Sequence, residues 1–287
     1  MCNHHLHANA ARKQDPTQTT TLRRQFAAEA YRRIRALKGK IRDAIIEQDG
    51  FGLKANRGRF EFERSDQKVQ AFMEWLREQQ RQDIIGVERG VPMSRAAEQA
   101  WTATYIRTAY QRGVSHAASN MRSQGVNVSD DWEENAFNRP IHADRVGLAY
   151  TRALQQLEGV TEAMDQQISR EMAQGLAEGQ NPREIARRIN ERVDKVGITR
   201  ARTLARTEVI NAHAEATLNS YEEAGVEGVE VEAEFSTAGD GRVCPECQSL
   251  EGRVYGRDEA RGLIPVHPNC RCAWTPKVKN GTGIELD

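Results

Sequence analysis

The stretch that decides the fold lies near the end of the chain: Asp240-Gly241-Arg242-Val243-Cys244-Pro245-Glu246-Cys247, followed twenty residues later by His267-Pro268-Asn269-Cys270-Arg271-Cys272. Four of the five cysteines fall here, joined by one histidine. Cys244 and Cys247 form a C-x-x-C knuckle, a spacing that lets two thiolates grip one ion while neighbouring backbone N–H groups offset their charge. His267, Cys270 and Cys272 add three more donors, and this mixture of sulfur and imidazole suits tetrahedral Zn²⁺. Five donors compete for four positions, and spacing alone does not choose among them. Two disulfides are the alternative. They are disfavoured because the start of the chain, Met1-Cys2-Asn3-His4-His5-Leu6-His7, has no apolar export signal, so the expected compartment is a reducing cytoplasm. That early histidine run is expected to be a mobile tail.

A periodicity of two surrounds the cluster. Val229, Val231, Ala233 and Phe235 alternate with Glu230, Glu232 and Glu234, which predicts a strand with one acidic, wet face. Val254-Tyr255 and Ala273-Trp274-Thr275 supply two shorter strands. A three-stranded unit of about 50 residues buries too little apolar surface to stand alone, and a structural metal supplies the deficit. Residues 229–278 are therefore expected to form a small β-rich zinc unit, with 279–287 as a tail.

Upstream the chain is helical. Leu22, Phe26, Ala30, Ile34, Leu37, Ile41 and Ile45 recur at steps of three and four, predicting one amphipathic helix from Thr21 to Gln48. Further helices are expected over Gln67–Ile85 (with Trp75), Pro92–Met121 (with Trp101 and Tyr105), Ile141–Leu157 and Val160–Leu176. Gly52–Arg64 reads as a hairpin or extended arm. Asn181-Pro182-Arg183-Glu184 has the residues of a helix start. The last long helix, Arg200–Ala224, carries the small-sided stripe Ala201, Ala205, Val209, Ala212 and Ala216, which predicts a close helix crossing. The expected class is mainly α with a small β-rich C-terminal unit (α+β), built on long amphipathic helices. Its parts are a disordered tail over 1–20, a helical region over 21–126, a linker over 127–140, a second helical part over 141–228, and the β unit.

Composition bounds the function. Lys and Arg number 41, as do Asp and Glu, so no global field draws the chain to nucleic acid or membrane. No run reaches the roughly 18 apolar residues needed to span a bilayer. Charge is local: Ala11–Gln48 holds ten bases against four acids, and Glu215–Glu234 holds seven Glu and no base. Arg23, Arg24, Arg32, Arg33, Arg35, Lys38 and Lys40 on the first helix are candidate phosphate contacts, so non-specific DNA binding is an alternative function. These side chains circle the helix without an aromatic platform, which favours a solvated or partner-facing helix. The other alternative is enzymatic. His213-Ala214-Glu215 followed by Cys244 and Cys247 echoes the H-x-E…P-C-x-x-C pattern of zinc hydrolases of the deaminase type. Val243 stands where that pattern has proline, His213 falls inside a continuous helix, and His267, Cys270 and Cys272 would be left without work. The expectation is no enzyme.

The ordered set Ala205-Arg206-Thr207-Glu208, Asp240 to Cys247, Leu250-Glu251-Gly252, His267 to Cys272 and Pro276 resembles the Mu F-like family of phage head morphogenesis proteins, over roughly residues 145–278. The run Gly175-Leu176-Ala177-Glu178-Gly179-Gln180-Asn181-Pro182-Arg183-Glu184-Ile185-Ala186 is similar to the family's helical lead-in. The resemblance implies a minor capsid protein of a tailed virus, placed at the portal vertex in the capsid interior and made in the host cytoplasm. The portal protein and the major capsid protein are the implied partners, with contact to packaged DNA and a part in head assembly or DNA ejection. Arg206, Glu208 and Asp240 match motif positions. Arg206 and Glu208 are expected to anchor the helix to the zinc unit.

Overall fold

In a computed structural model, residues 15–53, 65–279 and 285–286 are described. The early histidines, Cys2 and most of the expected arm lie outside them. The helices are α1 (Thr20–Arg42), α2 (Ser65–Gln80), α3 (Met93–Gln99), α4 (Trp101–Ser123), α5 (Asp130–Glu134), α6 (Pro140–Ala177), α7 (Pro182–Arg192), α8 (Thr199–Val226), α9 (Pro245–Leu250) and α10 (Arg257–Ala260). The strands are β1 (Asn127–Val128), β2 (Val231–Ser236), β3 (Val254–Tyr255), β4 (Ala273–Val278) and β5 (Glu285–Leu286). Wider π-helical turns continue α1 (Asp43–Glu47) and α2 (Arg81–Ile85), and another, Val193–Ile198, links α7 to α8.

The described residues fall into two compact units, each discontinuous in sequence. One contains the residues up to Phe26, Thr102–Ala153 and those from Ala205 onward; the other contains Ala27–Trp101 and Leu154–Leu204. The units thus do not follow a linear partition, because α1, α6 and α8 each give residues to both. No helix among the described residues is long and apolar enough to cross a membrane.

In the second unit, Ile34, Leu37, Ile41 and Ile45 are fully buried together with Phe72, Leu76, Met164, Ile168, Ile185 and Ile189. Trp75 packs its ring against Phe51 and Phe72. Trp101 lies under the Arg33 guanidinium and donates its indole N–H to the Ile84 carbonyl at 2.8 Å. Helix α7 begins as its sequence dictates: Asn181 caps it by accepting the Glu184 N–H at 3.0 Å, with Pro182 at its first position. Gly197 is needed for room, since a Cβ there would come within 2.4 Å of the Met164 sulfur.

The first unit is organised by α4 and α8. A Cβ on Gly113 would stand 2.4 Å from the His213 carbonyl oxygen and 2.6 Å from Ala216 Cβ, so the two helix backbones nearly touch there. The sheet has the order β3-β2-β4, antiparallel throughout, with Phe235 opposite Trp274. Phe235, Trp274 and Tyr255 form an edge-to-face ring cluster. Helix α4 and the residue that follows it hydrogen-bond to β4. Gln124 donates to the Pro276 carbonyl and accepts the Val278 N–H, and His116 Nε2 is 3.0 Å from the Trp274 carbonyl.

Some expectations fail for stated reasons. The 127–140 segment is ordered: β1 pairs parallel with β5, Ser129 caps α5, and Trp132 is fully buried with its indole N–H on Glu227. Asp15–Thr19 do not form a tail. Asp15 accepts the Thr20 N–H at 2.9 Å and pairs with Arg23, and Thr17 and Thr19 are buried. The two helices expected over 141–176 are one, since Gly159 carries no cap or proline beside it and the i to i+4 pattern runs through it from Pro140 to Ala177. Conversely the helix expected from Pro92 breaks at Ala100, which takes an extended ψ of 144°.

A buried imidazole marks the α4–α8 crossing. His213 is fully buried, and neither ring nitrogen has a hydrogen-bond partner among the described residues. Burial, followed by the charges of His116, Arg112 and Arg23, holds its pKa well below the usual imidazole range. The sign follows directly. Below about pH 6.5 the unfolded chain takes up a proton that folded His213 refuses, so this group withdraws about 1.4 kcal/mol of stability per pH unit until its depressed folded pKa is reached. His213→Leu is expected to leave stability at pH 7.5 unchanged or raised, and to flatten its decline toward pH 5. Urea melts at both pH values measure this; an unaltered slope would show that His213 does not titrate on unfolding.

Candidate metal centre

The C-terminal unit brings all five sequence-selected donors together. Cys244, Cys247 and His267 place their ligand atoms within 4.8 Å of one another, as do Cys247, Cys270 and Cys272. Cys247 belongs to both groups, so the set is continuous. The four cysteines of the cluster are free, so the disulfide alternative is not what the fold presents.

Local structure explains the positions. Cys244 ends the Asp240 loop and caps α9, its sulfur accepting the Cys247 N–H at 3.3 Å. Pro245 at the first helical position fixes the turn between the two thiols. On the opposing segment Asn269 adopts a left-handed φ of 66°, which lets the Cys270 N–H return to the His267 carbonyl at 3.1 Å. His267 Nδ1 lies 2.9 Å from the Pro268 carbonyl, an acceptor, so Nδ1 carries the proton and Nε2 presents a lone pair. That Nε2 is 3.2 Å from Cys244 Sγ and 3.3 Å from Cys247 Sγ. A tetrahedral zinc with ordinary bond lengths sets such sulfur–nitrogen edges at about 3.6 Å. These three donors therefore fit a zinc-sized ion, and the carbonyl-anchored imidazole is the usual support for a ligating histidine.

The cysteines differ electrostatically. A hydrogen bond from the Cys272 thiol, aided by the backbone N–H groups of Cys272 and Val266, draws the Cys270 thiol down to about 5 against its burial. The same sulfur–sulfur hydrogen bond, with burial, pushes Cys272 up. Burial and the neighbouring thiols push Cys247 up to about 12.

Asp240 does not touch the donors; it braces them. Arg271, from between Cys270 and Cys272, forks onto both its carboxylate oxygens at 2.7 and 2.6 Å, and Arg242 binds it from the same loop. These guanidiniums hold the Asp240 carboxyl far below the carboxylate range. The bracket ties the knuckle loop to the start of β4. Arg271 went unselected in the sequence, although its place inside C-R-C is the signal that would have found it.

The ARTE positions divide. Arg206 Nη1 donates to Asn269 Oδ1 at 3.3 Å, and Thr207 Oγ1 accepts the Asn269 N–H at 3.3 Å, so α8 holds the donor turn through Asn269. Glu208 points elsewhere. It is buried and pairs with Arg152 of α6 at 2.9 Å. Burial raises its pKa while Arg152 opposes the rise. Arg152→Ala strands that carboxylate. The expected loss is about 1–3 kcal/mol, discounted because Arg152 is half exposed. Adding Glu208→Gln should recover part of it in thermal melts, and a double variant no better than the single one would refute the pairing.

His213 is not among the donors that meet at the cluster, and Glu215 pairs with Arg261 at 3.2 Å. Of the basic residues on α1, Arg23 is buried against Asp15, Arg32 and Arg33 pair with Glu29, Lys38 with Asp194, and Lys40 with Asp83. Arg24 and Arg35 are exposed.

Comparisons with known proteins give one family match and one partial match to a transferase. The chain is 27% identical over 172 residues to the NAD(+)–arginine ADP-ribosyltransferase EFV of Enterococcus faecalis, a match covering 55% of this chain and 34% of that protein. The chain thus spans about a third of that relative's length. No solved structure matches. The family model described as phage Mu protein F like protein matches residues 166–275, a span running from within α6 through the knuckle and the C-R-C segment into β4. Over residues 166–275 the chain is thus similar to the phage Mu protein F like family.

Proposed function

We propose that this chain is a minor head protein of a tailed phage, acting structurally at the portal vertex in head assembly or genome delivery. Its C-terminal unit is held by one structural Zn²⁺ taken from Cys244, Cys247, His267, Cys270 and Cys272. The observation that carries the reading is the coincidence of the family match with the five-donor cluster. The cluster sits between segments that have little core of their own, which suits a structural ion. Thiolate and imidazole donors outnumber the four places of a tetrahedral ion, so the site has the character of a closed centre without a coordination position for substrate. The transferase named among the relatives is matched over 34% of its length, so its activity is not assigned to this chain.

The portal protein and the major capsid protein are the proposed partners, and the virion interior is the proposed location. Cross-linking mass spectrometry on purified virions tests this. The expected result is the chain at low copy number with cross-links to the portal protein. Virions that lack the chain, or that carry it cross-linked only to tail proteins, would overturn the proposal. Contact of Arg24 and Arg35 with packaged DNA is a subsidiary proposal. It predicts DNA binding that weakens steeply with salt and is reduced by replacing both with Gln.

A further inference from the structure

We infer that the middle of α1 and the turn leading into α8 form one basic surface that takes the phosphodiester backbone of duplex DNA. This rests on the DNA contact proposed above and goes beyond it. The main contacts move from α1 to Lys195, Arg200 and Arg202, with Arg35 beside them.

Two contacts put the segments side by side. Lys38 Nζ donates to Asp194 Oδ2 at 2.5 Å, and a Cβ on Gly197 would stand 3.4 Å from Ile34 Cγ2. Residues 34–38 of α1 therefore lie against the wide turn Val193–Ile198. Arg35 is exposed and sits one turn before Lys38, on the same side of the helix. Lys195, Thr199, Arg200 and Arg202 are exposed as well, and Thr203 is half-buried. Thr199, Arg202 and Thr203 share one face of α8, since residues three and four apart are neighbours. Segments 34–38 and 193–203 together hold five bases and one acid, and Lys38 neutralises that acid, Asp194. Arg35, Lys195, Arg200 and Arg202 form no ion pair among the described residues. Arg32, Arg33 and Lys40 of α1 differ, each being held by a carboxylate.

The make-up of the surface selects its partner. The exposed large apolar side chains of the described residues, Tyr31, Met93, Leu148, Val226 and Val254, all fall outside these two segments. A protein interface needs an apolar centre, and a helix lying on a membrane needs aromatic or aliphatic anchors. This surface offers guanidinium, ammonium and hydroxyl donors instead, the groups that bind phosphate oxygens. Contacts of that kind follow the backbone and carry no sequence preference.

The test is binding of the full-length chain to a short labelled DNA duplex, followed by anisotropy over a range of salt concentrations. In Arg200→Gln/Arg202→Gln the slope of log affinity against log salt should fall by about two, since each lost phosphate contact removes about 0.9. Lys195→Gln should lower it by about one more. The control, Arg170→Gln/Arg183→Gln, removes the same charge from exposed positions elsewhere and should leave the slope unchanged. Thermal melts matching the parent's would confirm that the variants fold. An equal fall in both double variants, or none in the first, overturns the surface. So does tighter binding to vesicles of anionic phospholipid than to the duplex, which would make a membrane the partner. A slope lowered by Arg24→Gln/Arg35→Gln but not by Arg200→Gln/Arg202→Gln keeps the DNA contact and overturns its placement here. A parent chain that ignores the duplex even at low salt would sink the DNA contact as a whole.

Discussion

Gly113→Val is expected to lower the stability of the folded chain by about 3 kcal/mol or more, the largest effect foreseen for a single side chain in the α4–α8 core. The reason is backbone against backbone. A Cβ at this position would lie 2.4 Å from the His213 carbonyl oxygen and 2.6 Å from Ala216 Cβ, and neither can rotate away. The helices must then part, opening space beside Ala117, Ala212 and Thr217, all buried. Intrinsic helix propensity acts in the opposite direction, since Gly in a helix interior is about 1 kcal/mol worse than Ala. Gly113→Ala weighs the two effects directly, and the clash is expected to win. Gly159→Ala supplies the control. That glycine lies in α6 with no atom of the described residues within 4 Å of a new Cβ, so the same exchange should stabilise by about 0.5–1 kcal/mol. Thermal or urea melts of the three variants decide the matter. Gly113→Ala melting above the parent would mean that α4 and α8 do not approach as closely as described.

How much of this was legible in the sequence depends on the range of the interaction. Every member of the stripe from Leu22 to Ile45 is buried, and the alternation around Val231, Ala233 and Phe235 became the central strand, because period and face are local properties. The cluster was legible too, since C-x-x-C and H-x-x-C-x-C are short patterns set by ligand chemistry. The stripe with Ala205, Ala212 and Ala216 announced a close crossing without naming what crosses it. Gly113 lies in another helix, and nothing near it in sequence marks it as the partner. The same limit hid the neighbours of charged residues. Lys38 and Lys40 read as a basic helix face, yet their partners Asp194 and Asp83 come from distant parts of the chain. Glu208 matched a motif beside Arg206, but one helical face separates them, and Arg152 rather than the donor turn neutralises it. The aperiodic 127–140 segment misled because short elements held by single anchors, such as Trp132 on Glu227, leave no period to read.

Removing the proposed ion is expected to unfold the segment between β2 and β4 while leaving the rest of the protein folded. Structural zinc in small modules contributes binding free energy on the order of 10 kcal/mol, most of which is free energy of folding. Little else holds this segment: α9 has six residues, α10 has four, and β3 has two. Its buried apolar anchors are few, with Ala260 and Ile264 foremost, and its remaining ties are polar, such as Arg257 on the Tyr221 and Glu222 carbonyls. The sheet is better placed, because β2 and β4 share six paired positions and bury Phe235 and Trp274. A strong chelator should therefore hardly change the far-ultraviolet helical signal, since ten helical residues at most are at stake. It should instead open residues 240–272 to limited proteolysis and to thiol alkylation, both reversed by adding zinc back. Cleavage appearing equally in α4, α6 and α8 would show that the ion supports the whole protein. Unchanged protection of 240–272 after complete metal removal would show that side-chain packing and the Asp240–Arg271 bracket hold the segment by themselves.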